Sequence, residues 1–275
     1  MNRRMRGDSI GAMRRFGPFA SLAIVATSVA HAADEPICAD RPGKASATCA
    51  APAGHLQIET GLIDWSVERS AGARSAQLVI GATAFKYGIG DRAHVELDLA
   101  PFARTTTRAA DGRDRASGIG DLLVRYKRRL TTNDAPVAVS LYPFVKLPTA
   151  NHAIGNGKVE AGLAMPISYA IPDSRLAITL GPELDWLADQ DGRGRHAAMV
   201  QVVSLGLAAT PWLGVSAELW RASDWDPAGT GHQASADASL AFLLSEDSQI
   251  DGGGNFGLNR DTPDVELYAG ISRRF

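Results

Sequence analysis

Cysteine is scarce in this chain of 275 residues, which contains only two. Two thiols are too few for a zinc site built from cysteine or for a framework of several disulfides. Long apolar runs are also missing: after residue 32 no stretch approaches 18 consecutive apolar residues, the length of a membrane-spanning helix. A basic excess is missing too, since 28 Lys and Arg stand against 30 Asp and Glu, which argues against nucleic-acid binding.

The start of the chain carries the pattern of an export signal. A cluster of arginines between Arg3 and Arg15 precedes an apolar run from Pro18 to Ala30 that is too short to span a bilayer. Ala30-His31-Ala32 then supplies a cleavage site of the small-x-small type. We therefore predict a signal peptide over residues 1–32 that is removed on export, so that the mature chain folds in an oxidising compartment.

The two cysteines lie close together at the start of the predicted mature chain. In an oxidising compartment, Cys38 and Cys49 predict one disulfide that closes a small loop. A metal site is the weaker interpretation, because too few further ligands lie nearby. We assign residues 33–54 to a periplasmic amino-terminal segment with this disulfide, and we expect no cofactor.

Apolar and polar residues alternate along most of residues 55–275. In the last segment Val265, Leu267, Ala269 and Ile271 lie on one face and the polar residues on the other. About twelve such segments follow one another, many of them near the length of a membrane strand rather than that of a soluble sandwich. Short turns alternate with longer polar loops. The pattern predicts an all-β fold over residues 55–275, a closed antiparallel transmembrane β-barrel of about 12 strands in the bacterial outer membrane, with short periplasmic turns and longer extracellular loops.

Several segments resemble a known family in their order and spacing. They include Asp40-Arg-Pro-Gly43, Gly54–Gly61, Ser117–Leu122 and Tyr268–Phe275. These segments resemble landmarks of a family of outer-membrane transporters named for the meta-pathway of phenol degradation. The resemblance implies a barrel that passes small molecules, with aromatic or other hydrophobic compounds as the expected solutes, and it implies no catalytic residues.

The polar face of the strands carries the candidate lumen residues. Their acidic excess favours cations or neutral polar solutes if the lumen is open. Alternatively, the charges pair across the lumen and close it, because twelve strands lie between the eight that side chains fill and the sixteen of open porins. The sequence leaves both alternatives open. The candidates are Glu59, Glu96, Asp98, Asp121, Arg125, Lys127, Glu160, Glu183, Asp185, Asp237 and Glu266.

Two further patterns offer weaker hypotheses. A lipid hydrolase at the barrel rim would need serine, histidine and carboxylate together, but no nucleophile motif supports one, and we predict a protein that is not an enzyme. The stretch Arg104–Arg115 is a mixed-charge loop for which an exposed, solvated loop is the default and binding of anionic lipopolysaccharide is the alternative. The rim candidates are His196, His232, Ser223, Ser235, Asp189 and Asp191.

The end of the chain predicts its partners. Tyr268 and the terminal Phe275 resemble the carboxy-terminal signal that the outer-membrane barrel assembly machinery reads. The expected partners are therefore that machinery, the outer-membrane lipids and a small-molecule solute, and no nucleic acid.

Overall fold

A computed structural model describes residues 36–70 and 72–275. The predicted signal peptide, residues 1–32, lies outside these described residues. Within them every regular element is a strand, and no helix is long and apolar enough to cross a membrane. The strands are β1 Leu56–Ser70, β2 Ala73–Ile80, β3 Ala82–Gly90, β4 Ala93–Leu99, β5 Phe102–Ala109, β6 Gly112–Gly118, β7 Leu122–Arg129, β8 Val137–Leu147, β9 Glu160–Ala164, β10 Ile167–Ala170, β11 Leu176–Ala188, β12 Arg195–Thr210, β13 Leu213–Asp226, β14 Gly229–Ser245, β15 Ser248–Gly257 and β16 Val265–Arg274.

The strands close into one antiparallel barrel, because β16 pairs with both β15 and β1. Four pairs of elements continue one another in the wall: β2 with β3, β4 with β5, β6 with β7, and β9 with β10. Gly81, Pro101 and Pro166 stand at three of these breaks, where proline lacks the N–H that a ladder needs. The sixteen elements therefore make 16 − 4 = 12 barrel strands, and the predicted fold class is confirmed.

The outer surface of the barrel is apolar. Leu184, Leu219, Leu244 and Leu267 are each about half exposed or more, at 58%, 61%, 61% and 48%. Aromatic side chains lie near the two ends, with Trp186 at 54% and Trp212 at 52% exposed. Such a continuous apolar surface between aromatic residues is typical of a wall that faces lipid.

The two ends of the barrel differ in their connections. Strand β1 begins and β16 ends at the same end as the tight turns at residues 91–92, 211–212 and 246–247. The opposite end carries the longer connections 148–159 and 258–264. Short turns and termini mark the periplasmic end of bacterial barrels, so the opposite end is extracellular.

The predicted mixed-charge loop Arg104–Arg115 is instead a strand hairpin. Its residues belong to β5 and β6, which pair with each other from Ala103 and Gly118 to the tip. Three consecutive threonines, Thr105 to Thr107, favour extended backbone here because their β-branched side chains suit a strand. The charges in this stretch hide the strand pattern, since they replace the apolar residues that define it lower in the wall.

The amino-terminal part of the chain lies inside the barrel. The predicted periplasmic segment comprises residues 33–54. Its described part, residues 36–54, is named here the inner segment, and its backbone and side chains contact inward-facing residues of the wall. Ala45 and Ala47 have no exposed surface. The physical reason is charge: the wall turns many carboxylates and ammonium groups inward, and the inner segment satisfies them.

Candidate functional site in the barrel lumen

Asp40 is the centre of the inner segment. Its carboxylate lies 2.6 Å from Lys86 Nζ and 2.5 Å from Lys127 Nζ, while its backbone N–H donates to Glu59 at 2.9 Å. Lys86 also contacts Glu59 directly. Strands β1, β3 and β7 therefore meet at one aspartate that belongs to none of them.

The electrostatics of Asp40 follow from these partners. Burial alone raises the pKa of a carboxyl group, but the ammonium groups of Lys127 and Lys86 outweigh that cost and hold the pKa of Asp40 well below its usual range. Asp40 is therefore ionised at neutral pH, and its charge stabilises the inner segment in the lumen.

Arg41 reaches a neighbouring part of the wall, on β15, which β16 separates from β1. Its guanidinium donates to Asp251 of β15, with Nη2–Oδ1 at 2.9 Å and Nε–Oδ1 at 3.1 Å. The side chain passes over Gly270, where an added Cβ would lie 2.3 Å from Arg41 Nε. Glycine at this position thus makes the room that the guanidinium occupies.

Lys44 occupies a third site, on β13 and β14. Its ammonium group lies 3.2 Å from Asp237, 2.7 Å from Ser235 Oγ and 4.4 Å from the centre of the Trp220 ring. A carboxylate, a hydroxyl and an aromatic face together form a good environment for a cation. The backbone N–H of Lys44 also donates to Glu218 at 2.6 Å.

The second half of the inner segment, residues 47–51, is bound to the wall through its backbone. Ala47 and Thr48 accept hydrogen bonds at their carbonyls from Lys127, at 3.0 Å, and from Ser140, at 2.5 Å. Ala51 N–H donates to His94 Nδ1 at 3.0 Å. Cys38 and Cys49 form a disulfide in the structure, so the loop that carries Asp40, Arg41 and Lys44 is covalently closed.

A network of wall residues fills the lumen beside the inner segment. Arg125 contacts Asp98 and lies 3.9 Å from Glu96, whose carboxylate also accepts a hydrogen bond from Tyr142. The space between this network and Asp40 is a cavity of about 20 Å³. A cavity of that size holds about one water molecule and no organic solute.

The other predicted lumen residues also face inward. Asp121 and Glu160 both bind Lys146, at 3.2 Å and 2.9 Å, and Glu266 accepts from Asn255 at 2.7 Å. Glu183 and Asp185 are buried on β11. Asp185 extends over Gly162, where an added Cβ would lie 2.3 Å from its Oδ1.

Two of the inward aromatic residues lie against cations rather than in an apolar patch. Phe144 faces Arg125, with the guanidinium carbon 5.0 Å from the ring centre, and Trp220 faces Lys44. Each aromatic face therefore contributes cation–π attraction inside the lumen.

Asp40, His94 and Glu96 are close enough together to suggest a metal site, since one ligand atom from each lies within 4.8 Å of the others. Lys86 and Lys127 contribute two positive charges at Asp40. These charges oppose a divalent cation, so the cluster fits an ion-pair network better than a metal centre.

At the periplasmic end the inner segment borders an open vestibule of about 520 Å³. Cys49 and Pro52 form part of its wall together with Arg92, Arg129 and Arg274. The inner segment thus lies between this vestibule and the charged residues around Asp40.

The proposed rim residues do not form a triad. The ring nitrogens of His196 lie 2.9 Å from Asp189 and 2.7 Å from Asp224. His232 Nδ1 instead lies 3.2 Å from Ser223 Oγ. Ser235 lies deeper, bonded to Lys44, and Asp191 accepts from the backbone of Arg193. The carboxylates of Asp189 and Asp224 therefore lie at the ring of His196, whereas the hydroxyl of Ser223 lies at the ring of His232. A catalytic triad needs both groups at one histidine.

Sequence reasoning missed three charged residues of the inner segment and the wall residues that contact this segment. Its small residues and single charges form no strand or helix pattern, and the Arg41–Asp251 contact joins positions 210 apart. One signal was present: Asp40-Arg-Pro-Gly-Lys44 concentrates charge just before the first strand. The missed residues are Asp40, Arg41, Lys44, Lys86, His94, Tyr142, Glu218 and Asp251.

The model of a protein family described as the MetA-pathway of phenol degradation matches residues 39–275, from the inner segment to the last residue. The chain belongs to this family. No curated protein matches the chain in sequence.

Solved structures share the fold. An outer membrane channel from Pseudomonas putida F1 is 15% identical, with a TM-score of 0.69 over 86% of this chain and 99% of that one. The translocator domain of the autotransporter NalP from Neisseria meningitidis is 12% identical, with a TM-score of 0.50 over 81% and 88%. The β domain of a Bordetella autotransporter is 12% identical, with a TM-score of 0.50 over 82% and 100%. The chain is a β-barrel of the bacterial outer membrane, and lipids surround its wall.

Proposed function

We propose that this protein is a passive channel for small molecules whose lumen the inner segment closes at rest. The observation that carries the proposal is the way this segment is held. It is anchored to several wall strands by ion pairs and hydrogen bonds, and residues 36–52 belong to no strand, so their withdrawal breaks side-chain and backbone contacts but no strand ladder of the barrel. The structural similarity to an outer membrane channel from Pseudomonas putida F1 supports the same function.

The solute class follows from two observations of different kinds. The family description supports aromatic compounds. The wall supports solutes that tolerate carboxylates, because withdrawal of Arg41 and Lys44 leaves Asp251 and Asp237 without these partners. We therefore propose small cations and neutral polar or aromatic molecules as the solutes.

Flux through liposomes tests this function. Because the proposed lumen is closed at rest, the purified mature chain and a variant without residues 36–52 are reconstituted side by side, and entry of a monovalent cation, an aromatic acid and a neutral sugar is measured. We expect flux of at least one solute through the variant, with the cation faster than the acid, because like charge repels the acid from the lumen. Impermeability of both proteins to all three, when each migrates on gels as a folded, heat-modifiable barrel, removes the channel hypothesis.

A permanently closed structural or ligand-binding barrel is the second candidate, favoured by the cavity of only about 20 Å³ beside Asp40. A rim hydrolase receives less support, because Ser223 and the carboxylates contact different histidines. We therefore propose a function without catalysis.

We also propose that the barrel assembly machinery recognises the last strand. Phe275 is 60% exposed, and its backbone exchanges hydrogen bonds with Leu56 at the barrel seam, with N–H to Leu56 O at 2.8 Å. Deletion of Phe275 is expected to reduce the amount of barrel in the outer membrane several-fold while export continues, since the leader is untouched. Fractionation of cells followed by immunoblotting measures both quantities. Unchanged outer-membrane levels would contradict the proposed recognition.

A further inference from the structure

The extracellular ends of four neighbouring strands carry a row of arginines. Arg69 of β1 stands directly opposite Arg74 of β2, Arg74 opposite Arg108 of β5, and Arg108 opposite Arg113 of β6. Directly opposite residues of antiparallel strands have Cβ atoms about 5 Å apart and point to the same side of the sheet. We name Arg69, Arg74, Arg108 and Arg113 the arginine row.

The arginine row points away from the lumen. Arg74 shares its face of β2 with Leu78 and Ile80, and Ile80 is 43% exposed on the lipid-facing surface. The opposite face of β2 carries Val79, which is buried at 4% exposure. All four arginines of the row are exposed.

Two further arginines extend the patch toward the membrane. Arg104 lies opposite Leu78, at the top of the apolar surface, and Arg115 lies opposite Thr106. Arg108 lies four residues beyond Arg104, or about 13 Å along the strand. Positive charge therefore begins where the apolar wall ends and continues outward.

Like charges placed directly opposite each other on a sheet destabilise it. Among the described residues, Arg69 pairs with Asp264 at 3.2 Å, and both side chains of this ion pair are well exposed. A bound polyanion would relieve the repulsion within these three adjacent pairs of arginines. Arginine binds phosphate through two parallel N–H donors, and the outer leaflet of this membrane presents phosphorylated glycolipid at this height.

We propose that the arginine row, with Arg104 and Arg115, is a binding surface for the phosphate groups of lipopolysaccharide. Position and charge both favour this ligand, because an outward basic patch immediately above a lipid-facing wall meets the headgroup region of the outer leaflet. This site is independent of the channel function, because none of its residues faces the lumen.

Binding of purified protein in detergent to lipopolysaccharide tests the proposal, with the phosphorylated form and a chemically dephosphorylated form compared side by side. The test variant replaces Arg74 and Arg108 by glutamine. The matched control replaces Arg128 and Arg175, two exposed arginines at the periplasmic end, and removes the same charge. All proteins must show the heat-modifiable migration of a folded barrel.

We expect the affinity of the Arg74→Gln/Arg108→Gln variant for phosphorylated lipopolysaccharide to be at least about tenfold lower than that of wild type, since the variant loses two charge-assisted contacts. The control variant should bind as wild type does. Wild type itself should lose a similar factor when the phosphates are removed, a result that does not depend on any variant folding. Equal binding of the two lipid forms, or equal weakening by both pairs of substitutions, would overturn the proposal.

Discussion

Deletion of residues 36–52 is expected to convert a closed barrel into a conducting one. The inner segment is held by charged contacts of Asp40, Arg41 and Lys44. If each is worth about 1.5 kcal/mol, the three together favour the closed state by a factor of about a thousand. We therefore expect the mean conductance in planar bilayers to rise by about two orders of magnitude or more.

A control deletion distinguishes this effect from damage to the barrel. Residues 191–193 lie at the tip of an extracellular connection, and their removal should leave the conductance at the wild-type level. The variant without residues 36–52 keeps every strand, so it should still insert and migrate as a folded barrel. Wild-type conductance from such a folded, inserted variant would contradict closure by the inner segment.

Substitution of Asp40 by asparagine is expected to release the inner segment. The ammonium groups of Lys86 and Lys127 then remain buried without their shared carboxylate, and breaking a buried pair in this way costs about 3 kcal/mol or more. That cost corresponds to an increase of about a hundredfold in the released population.

Trypsin provides the measurement. The bond after Lys44 is protected in the closed state because Ala45 has no exposed surface, whereas Arg41 is followed by proline and resists cleavage. When release is fast relative to cleavage, the cleavage rate follows the released population. We expect cleavage after Lys44 to be about a hundredfold faster in Asp40→Asn, and the excised peptide to separate only after reduction, because the Cys38–Cys49 disulfide retains it.

Two further variants check the cause. Asp247→Asn removes a half-exposed carboxylate that pairs with Arg274 at the periplasmic end, and its effect should be small because surface pairs contribute about 0–1 kcal/mol. Adding Lys127→Met to Asp40→Asn removes the ammonium group that has lost its carboxylate partner, and it should slow cleavage again. Equal cleavage rates in wild type and Asp40→Asn would rule out this anchor.

The pH dependence has a definite sign. Because the folded-state pKa of Asp40 is depressed, its stabilisation of the closed state is fully present above the unfolded pKa, about 3.9, and is lost as the pH falls through the lower folded value. The difference in closed-state population between wild type and Asp40→Asn should therefore be constant at neutral pH and narrow only below about pH 4. Conductance in planar bilayers measures this difference in the acidic range, where trypsin is inactive.

The wall was largely predictable from sequence, because each strand repeats a local alternation. Glu96 and Asp98 lie two positions apart on one face, and the structure turns both inward. The breaks within strands were less predictable. Gly81, Pro101 and Pro166 each lie between two elements that together form one strand of the wall. The hairpin at Arg104–Arg115 was mistaken for a loop because its outward residues are charged rather than apolar.

The inner segment was not predictable in the same way. Its position is determined by long-range ion pairs such as Arg41 with Asp251, and neither partner stands in a pattern that indicates the other. Glycines 61 and 270 make room for the Arg41 side chain, but in sequence they are ordinary strand glycines. Local periodicity therefore predicts the barrel, while the occupant of its lumen depends on contacts that only the folded chain reveals.

A reversible crosslink between the inner segment and the wall tests the central claim most directly. A Cβ added at Gly43 would lie 2.9 Å from the carboxyl carbon of Glu218, so the two positions are in contact; cysteines are introduced at both, and disulfide formation is verified by the loss of free thiols. In a protein that also carries Cys38→Ser and Cys49→Ser, single-channel current is recorded before and after reduction. Closure by the inner segment predicts no openings in the oxidised protein and openings after reduction. The same current in both states would contradict it.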